Sequence, residues 1–83
     1  MLAPDDYDKD FLVLLGQLTS VGNVTREMFQ MQLKARSKSN NVWTIVVEDE
    51  GGQLVACGSI FIELKFTHAC GKVGHIEDIV VSR

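Results

Sequence analysis

The stretch Val73-Gly74-His75-Ile76-Glu77-Asp78-Ile79-Val80-Val81, close to the end of the chain, decides how the sequence is interpreted. Its β-branched residues predict a strand, and turn-forming residues flank it. Adjacent side chains of a strand point to opposite faces of a sheet, so Glu77 or Asp78 should point toward a covered face. Because an unpaired buried carboxylate is costly, the acids are expected at an opening of the sheet or against a ligand.

Two interpretations of Glu77 and Asp78 stay open on the residues alone. In the first, the two carboxylates lie at the centre of a sheet and position an amine or hydroxyl groups. In the second, they mark the end of a strand, with one acid in solvent and the other in a salt bridge.

The composition is that of one small folded domain. A chain of 83 residues buries roughly 60–65% of its unfolded surface. Its hydrophobic fraction of 46% and charged fraction of 23% are typical of globular rather than disordered chains. The net charge of −3 argues against nucleic acid as the main partner.

The sequence does not suggest a membrane span or a secretory signal. No apolar run reaches the roughly 18–20 residues of a membrane span. The start of the chain does not resemble a secretory signal, and two cysteines do not form a disulfide framework. A reducing, cytoplasmic compartment is therefore expected.

Two helices are predicted before any strand. Acids at positions 5 and 6 suit the N-terminal end of the first helix. Its apolar residues recur at helical spacing and are Tyr7, Phe11, Leu14, Leu15 and Leu18. A turn is expected at residues 19–23, and Thr25 is the expected N-cap of the second helix. Met28 and Met31 are expected to fill gaps in the core, and residues 37–41 to form a polar loop.

Three strands follow the helices. Residues 42–47 and 54–62 read as a hairpin with a Gly-Gly turn, and the opening stretch supplies the third strand after a polar loop at 65–72. Gly58 in mid-strand indicates a bulge or close packing against a helix. The third strand would be an apolar edge, so we expect an incomplete chain or a partner that supplies the next element.

Other groupings of reactive residues are weaker. Lys65, His68, Lys72 and His75 suit a cationic rim for a phosphate, or an ordinary solvated loop. With Cys57 and Cys70, the histidines are of the types that bind zinc, but their spacing matches no zinc motif, and no metal is predicted. Cys70 as a nucleophile would need a base that the sequence does not identify.

Four blocks of sequence carry a resemblance to a known family. They are Leu14-Leu15-Gly16-Gln17-Leu18-Thr19 with Gly22, Val46-Val47-Glu48-Asp49, Lys65-Phe66-Thr67-His68 and Gly74-His75-Ile76-Glu77-Asp78-Ile79-Val80-Val81. In this order and spacing they resemble the glucosamine-6-phosphate N-acetyltransferases of the GNAT (acyl-CoA N-acyltransferase) superfamily. The resemblance covers nearly the whole chain. It implies an α+β class and a partial GNAT fold, with two N-terminal helices before a three-stranded antiparallel meander.

The resemblance also implies a reaction. An acetyl group would pass from acetyl-CoA, the co-substrate, to the 2-amino group of glucosamine 6-phosphate, on the way to UDP-N-acetylglucosamine. It further implies a homodimer that needs no metal.

Site roles follow from the resemblance by position. Glu77 and Asp78 match the acidic pair beside the amine and hydroxyl groups of the sugar, and they are the expected catalytic residues. Ile79 is expected by the same resemblance to bind both substrate and acetyl-CoA, and with Val80 and Val81 it matches the strand that faces the acetyl group and pantetheine arm. The remaining expected substrate-binding residues are Thr19, Lys65, Phe66, Thr67 and His68.

Departures from the family qualify this expectation. The family begins with a strand before the first helix, of which only Met1-Leu2-Ala3 would remain here. Its glycine-rich loop, which holds the CoA pyrophosphate, would follow Arg83. Residues 1–83 are thus expected to be a single incomplete N-acetyltransferase domain, inactive alone. The alternatives are a truncated, non-catalytic interaction module with an open strand edge, or an unrelated α+β binding domain.

Overall fold

The computed structural model describes residues 1–83, with helices at the N-terminal end and one sheet after them. The helical elements are a 3₁₀ helix Pro4–Lys9, α1 Phe11–Gly16 and α2 Arg26–Ser39. The strands are β1 Val42–Glu48, β2 Leu54–Leu64 and β3 Lys72–Val81, and a short helical segment Thr67–Cys70 precedes β3. All strand pairs are antiparallel with β2 in the centre, so the predicted meander is confirmed. None of the helices has the length and apolar character needed to cross a membrane.

The first predicted helix is broken in two, so the prediction of one continuous helix is wrong. Asp10 separates the 3₁₀ helix from α1, with φ 63° and ψ 35° in the left-handed region. The side chain of Gln53, in the β1–β2 turn, stabilises the break. Its Nε2 donates to the carbonyl oxygen of Lys9 at 3.3 Å and to Oδ2 of Asp10 at 3.0 Å. The spacing of apolar residues indicates which face is buried, but it does not show where the backbone is interrupted. Asp10 can interrupt it because aspartate tolerates a left-handed backbone.

The second helix begins where the sequence predicts and ends later. Oγ1 of Thr25 accepts a hydrogen bond from the backbone N–H of Met28 at 3.1 Å, which confirms the predicted N-cap. The predicted loop at residues 37–41 is wrong at its start, because the helix continues through Ser39. The hydroxyl groups of Ser37 and Ser39 each donate to a carbonyl three residues earlier at 2.8 Å, so they are satisfied inside the helix.

The core lies between the helices and one face of the sheet. Its buried apolar residues are Phe11, Leu14, Phe29, Leu54, Cys57 and Val80. The ring of Phe29 packs at a tilt against the rings of Tyr7 and Phe11, with centroids 5.6 and 5.8 Å apart. Met28 and Met31 are more than half exposed, so the prediction that they fill the core is wrong. Phe29 is the buried residue of α2, and Leu33 packs against the core while partly exposed.

The opposite face of the sheet has no covering layer. Its exposed apolar side chains are Trp43, Ile45, Ile60, Ile76 and Ile79. With Met1 they line a shallow concavity of about 470 Å³. We call this surface the open face. At the edge of β1, the N–H of Leu2 donates to the carbonyl of Thr44 at 2.9 Å, so the N-terminal segment runs along that strand.

A substitution in α1 tests how much this thin core depends on one side chain. Leu14 is 1% exposed, whereas its neighbour Val13 is 63% exposed. We expect Leu14→Ala to lower the free energy of unfolding by about 3 kcal/mol, because it removes buried methyl groups and leaves a cavity. The matched Val13→Ala should change it by less than about 0.5 kcal/mol. Urea unfolding followed by circular dichroism measures both, and equal losses would contradict this packing.

Candidate functional site

The candidate site is built on a bulge in β3. Asp78 and Ile79 together lie opposite a single residue of β2, Gly58. The regular pairs on the two sides of the bulge are Ser59–Glu77 and Cys57–Val80. Asp78 takes a left-handed backbone with φ 50°, as the extra residue of an antiparallel pair must bend the strand.

Gly58 lies directly opposite this bulge. A Cβ atom on Gly58 would lie 3.5 Å from Cγ1 of Ile79, in van der Waals contact. The prediction of a bulge at Gly58 is therefore confirmed, and the close neighbour is a strand side chain rather than a helix. Bulges are common next to active sites because they turn side chains and leave backbone groups unpaired.

The bulge reverses the alternation of side chains along β3. Before it, His75 and Glu77 are on the helix side of the sheet and Ile76 is on the open face. After it, Val80 is on the helix side and Ile79 on the open face. Both isoleucines therefore line the same concavity, although they are three positions apart.

Neither acid of the pair is buried. Glu77 and Asp78 are both exposed, so the prediction that one of them points toward a covered face is wrong. The helices pack beside the far end of β3, where Val80 is buried, and do not extend over Glu77. The acids thus lie at an opening of the sheet, free to meet a ligand.

A buried thiol supports the backbone at the bulge. Sγ of Cys57 lies 3.6 Å from the carbonyl oxygen of Asp78 and donates to it. Burial, and next the negative charge of Asp78, raise the pKa of the Cys57 thiol. Cys57 therefore stays protonated as a weak donor and is not suited to attack a substrate.

Hydrogen-bonded side chains from Arg36 through Thr44 to Ser59, which we call the polar line, lead to the position opposite Glu77 and were not predicted from the sequence. An Nη2 of Arg36 on α2 donates to Oγ1 of Thr44 on β1 at 2.7 Å. That oxygen is 2.8 Å from Oγ of Ser59 on β2, and both hydroxyl groups are buried. Ser59 is the cross-strand partner of Glu77. The signal in the sequence is one hydroxyl residue inside each of two otherwise apolar strands.

The basic residues at the other end of β3 are partly neutralised by Glu63. Nε2 of His75 lies 2.9 Å from Oε1 of Glu63, and Nζ of Lys65 lies 3.2 Å from Oε2. These two contacts, with His75 the stronger, lower the pKa of the Glu63 carboxyl. Glu63, which was not predicted as a site residue, contacts both of these side chains near the turn between β2 and β3.

The segment between β2 and β3 is strained. His68, Ala69 and Cys70 all have left-handed backbone angles, with φ of 51°, 57° and 61°. Such a run costs roughly 1–2 kcal/mol per non-glycine residue. Phe66 is 94% exposed beside it. The predicted loop is therefore a tight turn that presents the side chains of residues 65–68 to solvent.

One copy of the chain does not bring all the predicted site residues together. Lys72, at the start of β3, lies about 17 Å from Glu77 by the usual rise of a strand. The Lys65 N–H is bonded to the Gly71 carbonyl at 2.9 Å, so residues 65–68 stay at that end. Thr19 follows α1 near the other end of β3, where Oε1 of Gln17 accepts from the N–H of Arg83. The predicted site residues therefore fall into three separate places: residues 77–81 in β3, residues 65–68 before β3, and Thr19 after α1.

The two thiols should differ in reactivity. Cys57 is buried with a raised pKa, whereas Cys70 is exposed. At pH 8 we expect iodoacetamide to modify Cys70 many times faster than Cys57, because only a thiolate that the reagent can reach reacts. Mass spectrometry of timed samples measures both rates, and urea should remove the difference as a control. Comparable rates in the folded chain would contradict the burial of Cys57.

Comparisons with known proteins point to one group of enzymes. No protein-family profile matches the chain. The chain is 47% identical over 78 residues to glucosamine 6-phosphate N-acetyltransferase of Arabidopsis thaliana, covering 92% of this chain and 52% of that protein. It is 40% identical over 82 residues to a probable glucosamine 6-phosphate N-acetyltransferase of Drosophila melanogaster, covering 98% of this chain and 37% of that protein.

A solved structure agrees with these relatives. The crystal structure of glucosamine-6-phosphate N-acetyltransferase from Arabidopsis thaliana superimposes with a TM-score of 0.92 at 46% identity. The match covers 98% of this chain and 56% of that structure. The chain thus spans about half the length, or less, of the relatives it matches. These similarities confirm the partial GNAT fold and do not favour the alternative of an interaction module.

Proposed function

Because the chain belongs to the glucosamine 6-phosphate N-acetyltransferase family, we propose that it supplies the sugar side of that reaction. The reaction is acetyl transfer from acetyl-CoA to the 2-amino group of glucosamine 6-phosphate, a cytoplasmic step toward UDP-N-acetylglucosamine. The observation that carries the proposal is the bulge at Asp78–Ile79, which places two exposed acids beside an apolar face.

The two acids suit the amine of the substrate. A glucosamine amine must be neutral to attack a thioester, and a nearby carboxylate accepts its proton directly or through one water. Glu77 and Asp78 are exposed and close together in the chain, so they have room for the amine and a neighbouring hydroxyl group. The role of the pair is to orient the amine and take its proton, which needs no covalent intermediate.

The bulge suits the developing oxyanion and the acyl chain. Backbone N–H groups that a bulge frees from the strand ladder are donors of the kind that stabilise a tetrahedral oxyanion. Ile79, Val80 and Val81 follow at once, with Ile79 on the open face beside Ile76. This apolar surface suits the acetyl group and the pantetheine arm. The loop that would hold the CoA pyrophosphate lies outside residues 1–83 in our proposal, and these residues alone should not transfer acetyl groups.

The segment 65–68 suits the phosphate. Lys65 and His68 supply donors, and Lys65 is held by Glu63 at the edge of the hairpin. A hexose phosphate is too short to extend about 17 Å from Glu77 to this end of the strand. We therefore place Lys65 of one copy beside the acids of a second copy, in a homodimer whose two sites are shared. Thr19, which follows α1, would contact the substrate as well.

Sugar-phosphate binding tests this assignment. Isothermal titration calorimetry with glucosamine 6-phosphate should show binding to the parent chain. Lys65→Met should weaken it about ten-fold or more, because a charge-assisted hydrogen bond is lost. Lys34→Met removes a lysine of α2 outside the site and is the matched control, with no expected change. Equal effects of the two substitutions, or no binding by the parent chain, would refute the assignment.

The shared site predicts complementation. Lys65→Met and Glu77→Gln variants should each bind glucosamine 6-phosphate weakly, since every site in either homodimer is damaged. After the two are mixed and allowed to exchange subunits, each mixed dimer has one site with both residues intact. Calorimetry should then recover a class of sites with the parent affinity. A mixture that binds no better than its components would show that each copy completes its own site.

A further inference from the structure

The polar line from Arg36 to Ser59 has a fixed direction. Arginine has only donors, so Oγ1 of Thr44 accepts from Arg36. If Ser59 also donated to that oxygen, the buried hydroxyl hydrogen of Thr44 would be left without an acceptor, which is costly. The arrangement that satisfies both groups has Thr44 donating to Ser59. The hydrogen of the Ser59 hydroxyl is then free to be donated further along the line.

The next acceptor along the line is Glu77. It lies directly opposite Ser59 in the register of β2 and β3, so both side chains are on the same face of the sheet. The Cβ atoms of such a pair are about 5 Å apart, within reach of a hydrogen bond between a hydroxyl and a glutamate. Glu77 is exposed, and none of the salt bridges of the structure includes it. The structure has no hydrogen bond between the two side chains, so Glu77 must turn toward Ser59 for its carboxylate to accept from the free hydroxyl hydrogen.

We propose that Ser59 is a positioning residue that donates its hydroxyl hydrogen to the carboxylate of Glu77 when that side chain turns toward β2. Arg36, acting through Thr44, keeps that hydrogen directed at β3. One carboxylate oxygen is then held by Ser59, and the other is presented at the opening of the sheet. For the substrate, this inference rests on the proposed function: the fixed oxygen would select a 2-amino group over a 2-hydroxyl group, because only the amine can carry positive charge to it.

The contact itself can be measured without a ligand. The side-chain carboxyl ¹³C resonance of Glu77 at pH 7 should move in Ser59→Ala and return toward its parent position in Ser59→Thr, which keeps the hydroxyl group. Arg36→Met, a change on α2 far from the acid, should move it in the same direction by less. The carboxyl resonance of Glu63 is the internal control and should stay in place. A Glu77 resonance that neither Ser59→Ala nor Arg36→Met moves would overturn the proposal, even if one variant folds poorly.

A second measurement separates this inference from the proposed function. The ratio of affinities for glucosamine 6-phosphate and glucose 6-phosphate should fall about ten-fold in Ser59→Ala, the effect of one lost charge-assisted hydrogen bond. Lys65→Met should weaken both ligands equally and keep the ratio. An unchanged ratio in Ser59→Ala would overturn the positioning role. A parent chain that binds neither sugar phosphate, while the Glu77 resonance still responds to Ser59→Ala, would refute the proposed function and support the contact.

Discussion

The rest of the structure follows from one constraint: two helices cover only one face of a three-stranded sheet. The buried apolar set is accordingly small, and it centres on Leu14 and Phe29. The other face keeps Trp43, Ile45 and Ile60 in contact with solvent. An acidic pair can occupy the middle of an apolar strand without a desolvation penalty, because the helices also leave Glu77, on their own side of the sheet, exposed to water like Asp78. The surface available for a ligand is a consequence of the missing layer.

The order and type of the main elements could be predicted from the sequence because they depend on local signals. Alternating β-branched residues specified three strands, and Thr25 specified the start of α2. Gly58 indicated the bulge because a glycine inside a strand often marks one. The proposed roles of Glu77 and Asp78 come from the resemblance, because their adjacency alone left the end of a strand open as an interpretation.

The features that could not be predicted depend on contacts between distant residues. The break at Asp10 is stabilised by Gln53, which is far away in the chain. Glu63 was not singled out in the sequence, because only the pairing of β2 with β3 places it between Lys65 and His75. The line from Arg36 to Ser59 joins a helix and two strands, and no spacing rule relates them. Even the exposure of Glu77 depends on where the helices stop, which periodicity does not state.

The bulge also determines which pairings of β2 with β3 are possible. A shift of the pairing register by one residue turns every side chain of a strand to the opposite face of the sheet, which is costly where one face is buried. Here a slip that keeps the bulge opposite Gly58 would also put Glu77 or Ile79 into the left-handed backbone that Asp78 adopts, which a β-branched residue such as isoleucine tolerates poorly. Two independent penalties then oppose the same error. The feature that shapes the site therefore also acts as a register lock, which protects the pairing of an edge strand.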